Sequence, residues 1–172
     1  SWLKSHPNVR ELNLANTAIG SEGAIVLAKA LAKYTTLHKL NLGNNNISTR
    51  AIKEIAKVVE KQTNLQELCL NDNRIDDEAV TFLAKALEKN SSLHTLDLSN
   101  NLIQANGIKN LFNSLTNHSN FGVLNLKNNS IGSEGAKVLA EKLVNHTKLK
   151  ELNLCNNQID GEGATILAGS IG

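Results

Sequence analysis

Aromatic residues, proline, cysteine and methionine are scarce in this sequence of 172 residues. It contains three phenylalanines, one tyrosine, one tryptophan, one proline, two cysteines and no methionine. A framework of several disulfides is excluded by the cysteine count, and the core must be built from aliphatic side chains. Because methionine is absent altogether, we expect the native start of the protein to lie outside this sequence.

Strong charge of one sign and long apolar runs are missing as well. The formal net charge is +2, and the 18 basic and 16 acidic residues are mixed along the chain. Nucleic-acid binding would require a basic face on a strongly basic domain, so no nucleic-acid partner is expected. No apolar run approaches the roughly 18 residues that a membrane-spanning helix needs, and the sequence therefore predicts no membrane span.

What the sequence does contain is a regular repeat of 28 residues. The pattern L-x-x-L-x-L-x-x-N-x-I recurs without a shift in register, and its six copies begin at Val9, Leu37, Leu65, Leu93, Phe121 and Leu149. One such unit cannot bury its own apolar face, whereas stacked units share a continuous core, so at least about three units are needed for stability. We therefore predict a single domain over residues 1–172.

The first half of each unit predicts a β-strand. In the second unit, Leu40 and Leu42 alternate with Lys39, Asn41 and Gly43. A period of two residues places one set of side chains in the core and the other set on the surface. The surface set of each strand is therefore free for contacts outside the core.

An asparagine occupies one fixed position after the strand in five of the six units. These residues are Asn45, Asn73, Asn101, Asn129 and Asn157. One interpretation is that they contact a ligand. We favour a structural role, because stacked amides can bond the backbone of their own turn and of the next unit, and buried polar groups must be paired. Thr17 occupies this position in the first unit and predicts a looser edge there.

The second half of each unit predicts an amphipathic helix. Apolar residues recur three and four positions apart, as at Ala24, Leu27, Ala28 and Leu31. The expected helix N-caps are Ser21, Asp76 or Asp77, Ser133 and Asp160. Small residues share one helical position and are expected to let the helix and strand backbones approach closely; they are Gly23, Ala51, Ala79, Gly107, Gly135 and Gly163.

Strand and helix alternating at a short fixed period predict an α/β fold, with a parallel sheet and right-handed crossovers. Because the helix layer is wider than the strand spacing, the stack curves, with strands on the concave face and helices on the convex face. The pattern from Val9 to Ile171 resembles the leucine-rich repeat superfamily, ribonuclease-inhibitor subtype. The stretch from Ile131 to Leu143, I-G-S-E-G-A-K-V-L-A-E-K-L, resembles repeats of NOD-like receptors and of leucine-rich effectors from intracellular bacteria.

This resemblance implies an α/β horseshoe that works in the cytoplasm and recognises a protein partner on its concave face. Residues 1–8 align with the end of a preceding repeat, because Leu3 falls where Leu31 and Leu87 lie in later units. The chain also stops at this helical position. We therefore expect a fragment of a longer intracellular protein, for which the repeats form the recognition arm.

The outward strand positions are the candidate binding surface. Their side chains are not needed for the core and differ from unit to unit, and solenoids present such concave surfaces to partners. The candidate residues are Lys39, Asn41, Glu67, Cys69, Asn71, Asp72, Thr95, Asp97, Asn125 and Lys127.

The middle units place an acidic patch on this candidate surface, flanked by two lysines. The patch consists of Glu67, Asn71, Asp72 and Asp97, and the lysines are Lys39 and Lys127. A protein partner with a basic surface is the natural match. The alternative interpretation is an ordinary solvated face.

The two cysteines are expected to be free thiols. Cys69 and Cys155 fall on predicted strands three units apart, which is roughly 14 Å by strand spacing and too far for a disulfide. A reducing compartment is therefore expected. Asp97 should lie beside Cys69 on the next strand, where its charge would raise the pKa of the thiol.

The histidines predict no metal site. His38 and His94 lie two units apart, which is roughly 10 Å by strand spacing, and two nitrogens at that separation cannot bind one zinc ion. His118 and His146 repeat one loop position without a third ligand in register. No nucleophile has a base within reach and no phosphate-binding loop occurs, so we expect no catalysis, no cofactor and a monomer.

Two other functions remain as alternatives to a recognition module. The repeats also resemble the leucine-rich GTPase activators of Ran, although the acidic tail of that family has no counterpart here. The second alternative is a structural spacer, which would tolerate any sequence on the concave face. Lysines that repeat on the helices, such as Lys29, Lys57 and Lys85, are interpreted as solvated residues.

Overall fold

The computed structural model of the protein describes residues 5–116, 118–146 and 148–171, except for the side chain of residue 171. Leu3, which the sequence assigns to a preceding repeat, lies outside these described residues. The strands are β1 (Glu11–Asn13), β2 (Lys39–Asn41), β3 (Glu67–Cys69), β4 (Thr95–Asp97), β5 (Val123–Asn125) and β6 (Glu151–Asn153). The helices are α1 (Gly20–Leu31), α2 (Thr49–Lys61), α3 (Asp77–Leu87), α4 (Ala105–Leu115), α5 (Gly132–Leu143) and α6 (Gly161–Ile171).

The six strands form one open parallel sheet in the order β1-β2-β3-β4-β5-β6. Each strand residue pairs with the residue 28 positions later, as Leu40 does with Leu68 and Leu68 with Leu96. Each helix packs against the next along the chain. The predicted α/β leucine-rich repeat solenoid is therefore confirmed.

The core lies between the sheet and the helices and is aliphatic, as the shortage of aromatic residues predicted. In the third unit, Leu65, Leu68, Leu70 and Ile75 are at most 1% exposed, and Leu83 of α3 covers them. Because the same positions recur in each unit, the buried side chains form one continuous cluster from unit one to unit five, and half-buried residues of unit six pack against it.

The asparagine after each strand bonds the turn that contains it and the turn of the preceding unit. The Asn101 amide nitrogen donates to the carbonyl oxygens of Leu98 at 3.0 Å, Ser99 at 3.0 Å and Leu70 at 3.1 Å. Its amide oxygen accepts the Ile75 backbone N–H at 3.0 Å. The two N–H groups of this buried amide therefore serve three carbonyl oxygens, and its oxygen accepts one backbone N–H.

The same contacts recur at the other members of this column. Their amide nitrogens bond carbonyl oxygens of their own turn and of the unit before; the residues are Asn45, Asn73, Asn129 and Asn157. In the first unit, the Thr17 N–H and hydroxyl both reach the Asn45 amide oxygen at 3.2 Å. We call this row of turns the asparagine edge.

Two of the predicted N-caps are confirmed. The Asp76 carboxylate accepts the backbone N–H of Ala79 at 2.9 Å at the start of α3, and Asp160 accepts the N–H of Gly163 at 2.9 Å at the start of α6. Asp77 is already the first residue of α3. A carboxylate at this position satisfies an N–H that has no partner within the helix.

The predicted caps Ser21 and Ser133 are wrong, because both serines lie inside helices that begin one residue earlier. Helices α1 and α5 begin at Gly20 and Gly132, whose φ angles are +62° and +63°. In this left-handed conformation, which glycine adopts without steric cost, the Gly20 N–H donates to the Asn45 carbonyl oxygen at 3.1 Å. The backbone itself therefore starts the helix.

The small residue of each helix does not act as predicted. A Cβ atom on Gly107 would lie 2.9 Å from the Ile103 side chain and 2.5 Å from an Asp77 carboxylate oxygen, and no strand backbone atom is among its nearest neighbours. The position is small because the turn isoleucine of the same unit and the helix start of the preceding unit fill the space. The expected close approach of helix and strand backbones is therefore wrong.

Candidate functional site

The outward strand side chains form three columns across the sheet. The first column is Glu11, Lys39, Glu67, Thr95, Val123 and Glu151, and the second is Asn13, Asn41, Cys69, Asp97, Asn125 and Asn153. The third column is Ala15, Gly43, Asn71, Ser99, Lys127 and Cys155, which lies just beyond the strand ends. Together these columns make up the concave face and contain nine of the ten candidate residues, and the tenth, Asp72, follows Asn71 in the turn after β3.

Asparagine and aspartate in the second column are tied to their own turns. In five units a side-chain oxygen accepts the backbone N–H two residues later, at 2.9–3.1 Å; the acceptors are Asn13, Asn41, Asp97, Asn125 and Asn153. Side chains of this kind commonly bond the backbone two residues on. These bonds hold the candidate residues Asn41 and Asn125 in place, which reasoning from the sequence missed.

The Lys39 and Glu67 side chains form an ion pair across β2 and β3. The Nζ–Oε2 distance is 2.6 Å, and each side chain is 43% exposed. The hydrogen bond and the charge of Glu67 raise the pKa of Lys39. Exposed pairs of this type contribute little stability, but this pair neutralises one carboxylate of the predicted acidic patch.

The other two carboxylates of the patch also have partners within the chain. Asp97 accepts the Ser99 N–H at 2.9 Å, the Ser99 hydroxyl at 2.7 Å and the Asn125 amide at 3.2 Å. Asp72 accepts the Asn71 amide at 2.7 Å. The concave face therefore presents an internally bonded polar network, with less free negative charge than the sequence suggests.

Cys69 lies in the middle of this network and is held as a thiol. Burial and the neighbouring charge of Asp97 raise its pKa, while Lys39 acts in the opposite direction. Both cysteines are free, as predicted, and Cys155 is exposed. Cys155 lies two residues beyond β6 and not on the strand as predicted, because the chain there already turns into Asn156, whose φ is +56°.

Unit three departs from the repeat at two neighbouring points. Cys69 replaces the second-column asparagine or aspartate and supplies no oxygen, so the backbone N–H of Asn71 has no hydrogen-bond partner among the described residues. Asp72 replaces an asparagine whose amide, in units two, five and six, donates to the unit before. A carboxylate cannot donate, so this outer row of amides is interrupted.

The signal for these departures was present in the sequence. Cys69 and Asp72 each occupy a position that asparagine occupies in most other units. The resulting loss of hydrogen bonds could not be read from the sequence, because the role of each asparagine depends on the direction in which its side chain points. Two further candidates, the Thr95 hydroxyl and the Lys127 ammonium, make no hydrogen bond or ion pair within the described parts of the chain.

The strand-edge histidines are each bonded to backbone. The Nδ1 atom of His38 lies 2.8 Å from the Thr36 carbonyl oxygen, and that of His94 lies 2.7 Å from the Asn120 carbonyl oxygen. Among the residues that the structure describes, no three His, Cys, Asp or Glu side chains are grouped so that they could hold a metal ion. No helix in the described ranges is long and apolar enough to cross a membrane.

Comparison with known proteins places the chain in a family. Two solved structures share the fold: "Leiomodin-1 Actin-Binding Site 2 (ABS2)", at 21% identity over 86% of this chain and 87% of that chain with a TM-score of 0.67, and a tropomodulin C-terminal domain of Caenorhabditis elegans, at 15% identity over 88% and 90% with a TM-score of 0.70. No curated protein matches. The family model described as Leucine Rich repeat matches residues 5–28, 34–56, 61–84, 89–112, 118–140 and 145–168, well over half of the sequence. The chain belongs to the leucine-rich repeat family.

Proposed function

We propose that this chain is a protein-binding module whose partner lies against the concave face of units three to five. The observation that carries the proposal is the departure of unit three from the repeat. There the Asn71 N–H has no partner in the part of the chain that the structure describes, and Cys69 occupies a position where the other units hold an Asn or Asp that bonds its own turn. Polar groups that lack hydrogen bonds, on a surface whose other polar groups are hydrogen-bonded, are available to the backbone or a side chain of a partner protein.

The neighbouring units supply further groups for a partner. The Thr95 hydroxyl and the Lys127 ammonium lie beside unit three without bonds of their own in the described ranges, whereas Glu67, Asp72 and Asp97 are already bonded internally. A basic partner surface would compete with Lys39 for Glu67. We propose that direct hydrogen bonds to the centre of the concave face set the specificity for the partner and that electrostatic attraction contributes to binding.

The solved relatives support a protein as the class of partner. The leiomodin-1 structure is described as an actin-binding site, so actin is the first protein to test. We further propose that the repeats are of the ribonuclease-inhibitor subtype and form the recognition arm of a longer intracellular protein, of the innate-sensor or bacterial-effector type. Regulation of a GTPase and a spacer role are the competing functions.

The decisive experiment compares two threonine-to-arginine variants. Thr95→Arg places a long cation at the centre of the concave face, and Thr63→Arg makes the same change at an exposed loop residue away from it. Pelleting with filamentous actin, followed by affinity capture from eukaryotic cytosol, is measured for the parent chain and for both variants. We expect Thr95→Arg to weaken binding at least about tenfold, as loss of a central contact does, and Thr63→Arg to bind as the parent does.

Equal binding by both variants would show that the concave centre is not the binding site. A chain that retains no protein in either assay would favour the spacer role. Faster GTP hydrolysis by a GTPase mixed with the parent chain would instead favour the regulatory alternative. Circular dichroism of both variants establishes that a loss of binding does not come from unfolding.

A further inference from the structure

The residues directly before β4, β5 and β6 form a short row at the rim of the concave face. They are His94, Gly122 and Lys150. Their backbones are bonded in that order, because the Gly122 N–H donates to the His94 carbonyl oxygen at 2.9 Å and the Lys150 N–H donates to the Gly122 carbonyl oxygen at 2.8 Å. Neighbouring positions in this row therefore lie about 4.8 Å apart.

Glycine at the middle position of the row determines where the His94 ring lies. The other five units hold Arg, His, Gln, His and Lys at this position. A Cβ atom on Gly122 would overlap Cε1 of His94 and lie 2.9 Å from its Nε2. The imidazole ring thus occupies the space that a side chain of unit five would take, and it extends from unit four toward Lys150 of unit six.

One nitrogen of the His94 ring is bonded and the other is available. Nδ1 lies 2.7 Å from the Asn120 carbonyl oxygen, and because a carbonyl oxygen only accepts, Nδ1 carries the proton of this bond. Nε2 has no hydrogen-bond partner among the residues that the structure describes. A ligand at the rim would therefore meet Nε2, which donates a hydrogen bond when the ring is protonated.

A depression of about 560 Å³ lies over this row, which we call the rim depression. Besides His94, it is lined by the exposed residues Ser119, Lys148 and Lys150. Within the described ranges, the side chains of these three residues form no hydrogen bond or ion pair. Two ammonium groups and one hydroxyl are therefore available there to a ligand.

The acidic side chains nearby do not cancel this positive charge. Glu67 is the one acidic residue among the described residues that line the rim depression, and its carboxylate is already paired with Lys39 at 2.6 Å. Glu151 follows Lys150 in the chain but lines the neighbouring depression over β4 to β6. The rim depression therefore favours an anion with more than one negative charge.

We propose that the rim depression binds a phosphorylated serine or threonine side chain of a partner protein. A phosphomonoester carries a charge of about −1.5 to −2 at neutral pH and has three acceptor oxygens. These match the two ammonium groups of Lys148 and Lys150, with Ser119 and His94 as further donors. A carboxylate has one charge and two oxygens, and it would leave one ammonium group without a counter-charge.

The open shape of the rim depression favours a side chain of a protein over a free small ligand. Sites for small ligands bury about 70–90% of the ligand surface, whereas His94, Ser119, Lys148 and Lys150 are all exposed. Thr95 also lines the rim depression, so a segment that crosses the concave face passes beside it. The inference rests on the proposed function, because the phosphorylated segment belongs to the partner of that face.

The first test titrates the chain with a short peptide, Gly-Gly-phosphoserine-Gly-Gly with blocked ends. Peptides with serine or aspartate at the central position serve as comparison ligands. The Gly122 amide and the His94 Cε1–H signals are followed by NMR at low ionic strength, because salt screens exposed charges. The double variant Lys148→Gln, Lys150→Gln removes the two ammonium groups.

A matched control variant is Lys85→Gln, Lys109→Gln, which removes the same charge from exposed positions on α3 and α4. We expect saturable shifts with the phosphopeptide and none with the serine peptide. The aspartate peptide and the Lys148→Gln, Lys150→Gln variant should each show binding at least about threefold weaker, because exposed ion pairs are lost. The control variant should bind as the parent chain does.

Three results of the titration would overturn the proposal. They are the absence of a saturable shift at millimolar phosphopeptide, equal binding of the aspartate peptide, and equal weakening by the two double variants. The last result would show that the net charge of the chain, and not the rim depression, attracts the peptide.

The second test separates this inference from the proposed function. Affinity capture is repeated with cytosol that has been treated with a phosphatase, and we expect the captured partner to be lost. A partner that is lost with Thr95→Arg but survives both the phosphatase and the Lys148→Gln, Lys150→Gln variant would uphold the proposed function and overturn this inference. Phosphopeptide binding without any captured protein would uphold the phosphate site and count against the proposed function.

Discussion

The two edges of the solenoid solve the same physical problem in different ways. At the asparagine edge, one residue type bonds the backbone of successive turns in five units, as Asn101 does with four hydrogen bonds. The loops between each helix and the following strand form the other edge, which we call the helix-end edge, and there the equivalent residues are Tyr34, Gln62, Asn90, His118 and His146. There the bonds differ from unit to unit, and both ring nitrogens of His118 are buried with no partner at hydrogen-bond geometry among the described residues, although the Asn90 backbone lies near the ring.

The difference shows where a repeat protein can vary. At the asparagine edge each amide serves two turns at once, so a substitution removes buried hydrogen bonds in two units. At the helix-end edge the number of backbone groups bonded by one side chain falls from four at Asn90 to one at His146. Rings can therefore be accommodated there, as at Phe112 and His146. Regularity marks the positions that the fold requires, and irregularity marks positions available for other uses.

The largest effect should come from breaking the asparagine edge. Asn101→Leu keeps the branching and the number of heavy atoms of the side chain, but it leaves the Ile75 N–H without its partner and removes one donor from each of three carbonyl oxygens. We expect a loss of about 3 kcal/mol in the free energy of unfolding, the upper end of the cost of unpaired buried groups. Urea unfolding measures it. A loss below about 1 kcal/mol would show that water replaces these bonds readily.

The same kind of substitution at the helix-end edge should change the free energy of unfolding in the opposite direction. His118→Leu removes two buried nitrogens that have no partner within the described ranges, and replacing such groups with apolar ones is neutral or stabilising, here by up to about 1 kcal/mol. His146→Leu is the matched control, because its Nε2 atom bonds the Phe112 carbonyl oxygen, and it should destabilise by about 1 kcal/mol. Strong destabilisation by His118→Leu in urea unfolding would mean that this ring is bonded in solution.

The smallest effect is a dependence of stability on pH, which we assign to two histidines of the helix-end edge. Burial lowers the pKa of His118, opposed by the nearby backbone of Asn90, and burial also lowers the pKa of His146, opposed by its bond to Phe112. Since the unfolded histidines titrate near about 6.5, the unfolded state binds more protons just below that pH. Stability should therefore fall as the pH drops through this value.

The double variant His118→Gln, His146→Gln tests the origin of this pH dependence. Glutamine does not titrate, so the fall in unfolding free energy between pH 7.5 and pH 5.5, measured by urea unfolding, should become smaller. Asn101→Leu should leave the pH dependence unchanged, because its partners at the asparagine edge are backbone groups. If the double variant kept the full dependence, other titrating groups would have to be its source.

Much of the fold followed from the spacing of a few residues. The strand register and the leucine core follow from the 28-residue period, since Leu68 and Leu96 can pair only in that register. The starts of the helices near Ser21 and Ser133 could not be predicted correctly, because a glycine with positive φ can begin a helix in place of a side-chain cap. The candidate concave residues remain a prediction, although their order across the sheet was read directly from the repeat.

The sequence by itself determined the architecture, because a period of 28 residues repeats the same burial and bonding in every unit and leaves one stacked solution. Only the tertiary structure decided which polar groups remain available to bond a partner. Three features depend on side-chain directions and on contacts between units: the pairing of Glu67 with Lys39, the Asn71 N–H without a partner among the described residues, and the contact between the Phe112 and His146 rings. Periodicity does not encode these features, because each arises where one unit differs from its neighbours.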